Sequence, residues 1–208
     1  MSFRIEEKIK INKSKIFKFL KWIKDNKGLK LYPTRIINSL YLDNKDYSMF
    51  SHSMEGVTPR KKIRIRTYDN KNFLHEDTIY KKELKITSVE GRFKTSNTYN
   101  KSIKDIFFGL NDVDYGMCSP VLNVIYERDY YLVKDIRVTL DKNIIYKKII
   151  NKYISNISTL DKFNVVELKY NHKSQANLFN NDFPFERSRY SKYCRGIEFI
   201  RSGYCTEL

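Results

Sequence analysis

Along most of this chain apolar residues recur at every second position, the period of a β-strand with one face turned away from water. Residues 3–11 set Arg4, Glu6, Lys8 and Lys10 on one face and distribute Phe3, Ile5, Ile9 and Ile11 about the other, which predicts a first strand. The spacing then lengthens. Ile16, Phe19, Leu20 and Ile23 predict an amphipathic helix over 13–27, with Asn12 or Ser14 as N-cap and Gly28 as the stop. Residues 35–43 return to the strand pattern, 44–54 predict a short helix carrying Tyr47, Met49 and Phe50, and Pro59 ends a turn. The runs 60–68, 78–87 and 92–96 read as successive antiparallel neighbours. Residues 101–110 are weakly helical, while 121–133, 136–141, 144–149 and 164–170 are again strands. A compact helix is predicted near 174–180, and a loop with a final short segment over 189–197. Many strands with few helices predict an α+β, mainly antiparallel fold: an eight-stranded closed β-barrel tunnel with a few flanking helices.

Composition adds that this is one unit. Pro and Gly number only 4 and 7, no low-complexity stretch or repeat interrupts the pattern, and 41% apolar residues can build a core, so residues 1–208 read as a single domain. Basic residues number 40 against 24 acidic ones, a net of +16, and such a field concentrates anions. Nucleic acid, anionic lipid, nucleotide and inorganic phosphate polymers all fit that sign, and part of the excess follows from a general richness in Lys, Asn, Ile and Tyr. Cys118, Cys194 and Cys205 are odd in number and lack metal spacing, which excludes a disulfide framework and suits a reducing cytoplasm. No apolar signal core opens the chain and no run approaches the roughly 18 apolar residues of a membrane span, so a cytoplasmic location is expected. His52, His75 and His172 lack mutual metal spacing and read as structural or surface residues, and Trp22 reads as packing. The 16 tyrosines fit half-buried strands better than a base-stacking platform, which sets nucleic acid aside as a partner.

The chemistry lies in how the charges alternate. In a strand, Arg60, Lys62, Arg64 and Arg66 share one face while Lys61, Ile63, Ile65 and Thr67 take the other. The design recurs in three E-x-K pairs, Glu6 with Lys8, Glu83 with Lys85 and Glu167 with Lys169, in Lys94, in Arg128 beside Tyr126, and in Arg137 with Thr139 and Asp141. If these strands close, their polar faces meet inside. Like charges packed in a lumen are costly unless an anion compensates them, so the implied ligand is a phosphate chain, gripped by forked Arg donors and Lys point charges. The few carboxylates there could hold Mg²⁺ or Mn²⁺ together with phosphate oxygens. Glu167 is the first candidate ligand. For Glu6 and Glu83, pairing with neighbouring cations explains their presence as well as a metal does.

Taken in order, these segments resemble a known family. The motifs are R-I-E-E-K-I at 4–9, S-L-Y-L-D at 39–43, R-K-K-I-R-I-R-T-Y at 60–68, E-L-K at 83–85 with Lys94 beyond, Y-E-R at 126–128, R-V-T-L-D at 137–141, V-E-L-K-Y at 166–170 and S-K-Y at 191–193. They resemble the polyphosphate polymerase (VTC) domain of the triphosphate tunnel metalloenzyme superfamily. The resemblance implies a tunnel that takes ATP or another triphosphate, a divalent metal, typically manganese, and transfer of the γ-phosphoryl group to a growing inorganic polyphosphate chain. Carried over by motif, Lys8, Arg64, Arg66, Lys85, Lys94, Arg128, Arg137 and Lys192 grip phosphates as the catalytic set. Tyr126 and Ser191 add hydrogen bonds, Arg60, Lys62 and Lys169 extend the substrate contacts, and Glu167 holds the metal with Glu6 and Glu83 behind it. With water as acceptor the same tunnel would be a triphosphatase, and without turnover a polyphosphate-binding module. Residues 97–119 are shorter than the helical insertion of many relatives. No phosphate-sensing domain or membrane span accompanies the tunnel, so coupling to membrane transport would fall to a membrane-protein partner.

Overall fold

The computed structural model describes residues 5–68, 78–170 and 183–202. The helix expected near 174–180, together with Phe3, Arg4, His75, His172 and Cys205, lies outside the described residues. The elements run β1 (Ile5–Asn12), α1 (Ile16–Asp25), β2 (Leu29–Asp43), α2 (Ser48–Glu55), β3 (Arg60–Thr67), β4 (Lys81–Thr87), β5 (Arg92–Thr98), β6 (Leu110–Asp112), β7 (Gly116–Val133), β8 (Ile136–Ile150), β9 (Tyr153–Leu160), β10 (Phe163–Tyr170) and α3 (Lys192–Ser202), with 3-10 turns at Lys13–Lys15 and Ile103–Phe108. Among the described residues no helix is long and apolar enough to cross a membrane.

The main path of the antiparallel sheet is β1-β10-β8-β7-β2-β3-β4-β5, with β6 added to β7 and β9 added to β8. It curls into a half-barrel that stays open, which corrects the expected closed barrel: no backbone ladder joins the two end strands, β1 and β5, among the described residues. The reason is local. Polar groups on the free edge of β1 are already engaged, because Ser188 N–H donates to Lys8 O at 2.9 Å and Lys10 N–H donates to Ser188 Oγ at 2.8 Å. Side chains span the rest of the seam: Arg92 Nη1 donates to Glu6 O at 3.2 Å, and Lys85 Nζ reaches Glu6 Oε2 at 3.0 Å.

Two apolar clusters flank the sheet. On the convex side α1 sets Phe19, Trp22 and Ile23 against Ile9, Ile11, Val133, Val138, Leu140, Val166 and Leu168. Trp22 is therefore packing, whereas Leu20 stays partly exposed. Neither expected N-cap donates or accepts through its side chain: a 3-10 turn precedes α1, with Asn12 before it and Lys15 at the N-cap of α1 itself. Beyond the helix, Lys27 takes the left-handed conformation (φ 54°), and Gly28 is needed for space, since a Cβ there would lie 2.7 Å from Ile23 Cγ2 and 2.9 Å from Val133 Cγ2. The second cluster fills one end of the concave side, where Tyr193, Ile197 and Phe199 of α3 join Leu122, Val124 and Tyr146.

That helix replaces the loop and short segment expected over 189–197. Gly196, a poor helix former, sits where α3 crosses the sheet, and a Cβ there would approach Leu122 Cδ2 to 2.4 Å and Tyr146 Cδ1 to 2.9 Å. Other differences are extensions. β2 begins at Leu29 and absorbs Pro33 through register shifts against β7 between Lys30 and Tyr32 and between Tyr32 and Arg35. β8 continues through Asn143, which takes φ 50°, so the two strands expected over 136–149 are one. β9 was not expected from its pattern; Asn151 and Lys152, both at positive φ, turn the chain back to form it.

Candidate functional site in the curled sheet

Strand register gathers the alternating charges on the concave face. Lys8 lies opposite Glu167, and Glu167 opposite Thr139. Arg128 faces Asp141 across β7 and β8, Arg64 faces Tyr41 and Glu83, and Arg66 faces Ser39. Lys62, Lys85 and Lys94 form one row across β3, β4 and β5, an arrangement of like charges that destabilises a sheet unless anions intervene.

Glu83 is the hub of one wall. It is only 2% exposed, accepts from Arg64 Nε at 2.7 Å and Lys94 Nζ at 2.7 Å, and has Arg66 Nη1 at 3.6 Å. Burial alone would raise its carboxyl, but Arg64, Arg66 and Lys94 outweigh it and hold the group far below the usual carboxylate range. Arg66 also donates to Ser39 Oγ at 2.9 Å and Tyr126 Oη at 3.1 Å, and Arg64 donates to Tyr41 Oη at 2.9 Å. Tyr41 is correspondingly acidic: burial opposes ionisation, yet Arg64, Arg66 and Lys192 bring its hydroxyl down to about 8.

The opposite wall turns on Asp141. It is fully buried, accepts from Arg128 Nη2 at 2.7 Å and pairs with Lys192 Nζ at 2.5 Å, and these cations overcome burial to keep it ionised. Lys192 also stands 4.6 Å from the ring centroid of Tyr126. Glu167 pairs with Lys169 at 2.8 Å and has Arg128 at 3.6 Å. Burial again opposes its charge, and Lys169, Arg128 and Lys8 prevail; Glu6 adjoins it. At the seam Lys85 binds both oxygens of Glu6, and Lys8 stands 3.6 Å from Glu6 while donating to Tyr190 O at 3.3 Å. Burial first, then Lys8, lowers the Lys85 ammonium to about 8 despite Glu6.

α3 delivers its residues through two anchors. Asp161 accepts from Tyr146 Oη and Tyr190 Oη, each at 2.7 Å, and from Arg195 Nε at 2.9 Å. Asp43 accepts from the backbone N–H groups of Met49 and Phe50, each at 3.0 Å, and from the Tyr193 hydroxyl. Ser191 thus meets Lys62 Nζ at 3.0 Å while its oxygen accepts from Cys194 N–H at the start of the helix. Lys62 has no carboxylate partner among the described residues, and burial lowers its ammonium.

The structure therefore brings Glu6, Lys8, Lys62, Arg64, Arg66, Glu83, Lys85, Lys94, Tyr126, Arg128, Glu167, Lys169, Ser191 and Lys192 to one face. It leaves two candidates at the periphery. Arg60 is solvent-facing and donates to the carbonyls of Gly56 and Val57, and Arg137 lies exposed over the Tyr130 ring. Asp141, Tyr41 and Ser39 were not among the candidates; alternation from Arg137 places Asp141 on this face, and the register of β2 on β3 sets Tyr41 opposite Arg64 and Ser39 opposite Arg66. As for a metal, no cluster of three or more His, Cys, Asp or Glu exists among the described residues, so a cation would need phosphate oxygens and water to complete its shell. The adjoining Glu6 and Glu167 carboxylates fit that role if Lys85 and Lys169 turn from them to the anion, whereas Glu83 is enclosed by three cations, Arg64, Arg66 and Lys94.

A curled antiparallel sheet whose concave face is lined by Arg and Lys around a few carboxylates is a triphosphate tunnel fold. The chain belongs to the VTC domain family, whose model matches residues 3–201. Among solved structures it is similar to a Hippeastrum protein described as a candidate adenylyl cyclase with a dominant triphosphatase activity, at a TM-score of 0.54 and 15% identity over 98% of this chain and 96% of that one. It is also similar to a candidate adenylate cyclase of Vibrio parahaemolyticus, at a TM-score of 0.52 and 12% identity over 91% and 95%. At these identities the likeness is one of fold. No curated protein matches.

Proposed function

We propose that this domain is a metal-dependent polyphosphate polymerase, which holds ATP with its phosphates in the concave site and transfers the γ-phosphoryl group to the end of an inorganic polyphosphate chain. The observation that carries the reading is the imbalance of the buried face. Among the described residues Lys8, Lys62, Arg64, Arg66, Lys85, Lys94, Arg128, Lys169 and Lys192 crowd around Glu6, Glu83, Asp141 and Glu167. The surplus charge needs an anion of several charges, and the row from Lys62 to Lys94 gives it an extended shape.

Phosphoryl transfer leaves little covalent work for the protein, so alignment and charge neutralisation supply the rate. Arg64 and Arg66 are held at fixed angles by Glu83, Tyr41, Ser39 and Tyr126, and Arg128 and Lys192 by Asp141. Their remaining donors are thereby pre-aimed at equatorial phosphoryl oxygens. Glu6 and Glu167 would hold Mn²⁺ or Mg²⁺, and the cation would supply neutralisation of the charge that develops on the phosphoryl oxygens. Lys85 and Lys94 neutralise the chain along the β4–β5 wall.

A second reading, triphosphatase, is favoured by one feature: α3 with its Tyr193, and Tyr190 just before it, cover one end of the concave side, so a short anion fits without threading. The Hippeastrum neighbour's activity agrees with that reading. Incubating the pure domain with ATP and Mn²⁺ and resolving the products on a gel separates the two. Long-chain polymer supports the polymerase, orthophosphate release without polymer supports the hydrolase, and binding without turnover reduces the domain to a polyphosphate-binding module.

A further inference from the structure

Most tyrosines here are buried, Tyr130 among them at 3% exposure, but Tyr32, which packs on it at the open mouth, is exposed. Tyr130 follows Arg128 by two positions on the same face of β7, roughly 7 Å further out along the strand. Its ring meets that of Tyr32 edge-on, with centroids 5.6 Å apart at 86°, and Tyr32 is 47% exposed. The Arg35 guanidinium lies over both rings, 4.9 Å from the centroid of Tyr32 and 5.6 Å from that of Tyr130, while Arg137 stands 5.6 Å from the Tyr130 centroid. Both arginines are exposed, and neither has a carboxylate partner among the described residues. The charge pattern therefore changes character here. Inside, Arg64, Arg66 and Arg128 stand over Tyr41, Tyr68 and Tyr126 and are also held by carboxylates and hydroxyls, whereas Arg35 and Arg137 at the mouth stand over rings without such a carboxylate.

Flat, solvent-facing aromatic and guanidinium surfaces do little for a tetrahedral phosphoryl group, which needs N–H edges, but they match the face of a heterocyclic base. We infer that the exposed Tyr32, Arg35 and Arg137, backed by the buried Tyr130, form a nucleobase site, so that the domain distinguishes a nucleoside triphosphate from a bare triphosphate. The inference rests on the proposal that the concave face holds the phosphates. The distance from Arg128 to Tyr130 is one that a ribose bridges, placing the base outside and the phosphate tail inside. The stacking surface carries no base-specific hydrogen-bonding edge, so purine and pyrimidine nucleotides bind in the order of their stacking strength.

The test compares two anions on the same protein by isothermal titration: the non-hydrolysable β,γ-imido analogue of ATP, and inorganic tripolyphosphate. Tyr32→Leu is expected to weaken the nucleotide about tenfold and leave tripolyphosphate unchanged, and Tyr32→Phe, which keeps the ring, is expected to bind both like the parent. Arg66→Ala, within the concave site, is expected to weaken both ligands alike. If Tyr32→Leu leaves nucleotide affinity intact, weakens both ligands equally, or behaves like Tyr32→Phe, the base site is overturned while the phosphate site stands. If the parent protein binds neither anion, the phosphate site falls and the base site with it.

Discussion

Replacing Glu83 by Gln isolates the electrostatic logic of the site, because the substitution keeps the shape and removes one charge. Glu83 is 2% exposed and stands among Arg64, Arg66 and Lys94, so Glu83→Gln leaves three cations without their shared counter-charge. Breaking a buried pair by removing one partner costs ~3–5 kcal/mol, and since the amide oxygen still accepts a hydrogen bond the lower figure applies. For a domain of this size that corresponds to a melting temperature lower by about 6–12 °C. A polyphosphate anion supplies the missing charge. Tripolyphosphate at a hundredfold excess over its dissociation constant stabilises a protein by about 2.7 kcal/mol, and in the variant its affinity also rises, because the negative charge of Glu83 no longer repels the anion. Thermal denaturation with and without tripolyphosphate reads both effects. The expected result is an unliganded variant well below the parent and a ligand-induced rise larger in the variant. An unchanged melting temperature, or a rise no larger than the parent's, would refute the reasoning.

Three further outcomes follow from named contacts. Tyr41 and Lys85 both titrate at about 8, below their ordinary values, so the site loses positive charge as pH rises through 8; tripolyphosphate affinity should fall there, and Tyr41→Phe should flatten the fall. The sign for stability is opposite: between pH 8 and 10 the unfolded chain binds more protons at both groups, so each contributes stability to the unliganded domain as pH rises, which urea titrations at several pH values check. Glu167→Gln should abolish Mn²⁺-dependent turnover while metal-free tripolyphosphate binding is kept, because Lys169 and Arg128 are released to the anion; full turnover in that variant would remove Glu167 from the metal site. Gly196→Ala should destabilise by ~1–3 kcal/mol, measured by denaturant unfolding, since its Cβ meets Leu122 and Tyr146, both fully buried and unable to move aside.

The strands that build the site were legible because their two faces differ so sharply. From Lys62 to Arg66 in β3 and from Val166 to Tyr170 in β10 charged residues alternate with apolar or aromatic ones, so period alone placed Arg64 and Arg66 on one side of β3 and Glu167 and Lys169 on one side of β10. The same rule set Asp141 with Arg137 and Thr139 without giving it a role, while Tyr41 stands in the motif at 39–43, which has no cation, and its place follows from the pairing of β2 with β3. What escaped was set by tertiary contacts. α3 carries a glycine and a buried arginine mid-helix, both unfavourable signals locally, and it holds because Asp161 pairs with Arg195 and because Gly196 lets the helix approach the sheet. β9 is mostly exposed and has no buried face to give it a period. The open seam depends on Ser188, far along the chain from β1, occupying hydrogen-bonding positions that a closing strand would need. Arg60 continues the alternation of β3 and yet turns back to the loop before it, which shows that period assigns a face and not an occupancy.

The account depends most on where a phosphate chain sits. A crystal structure of the domain with tripolyphosphate and Mn²⁺ tests it directly. The account predicts phosphoryl groups in the curled sheet between Arg64, Arg66 and Lys85 on one side and Arg128 and Lys192 on the other, with the metal at Glu6 and Glu167. A concave face that keeps its ion pairs to Glu83 and Asp141 while the anion binds elsewhere would contradict it.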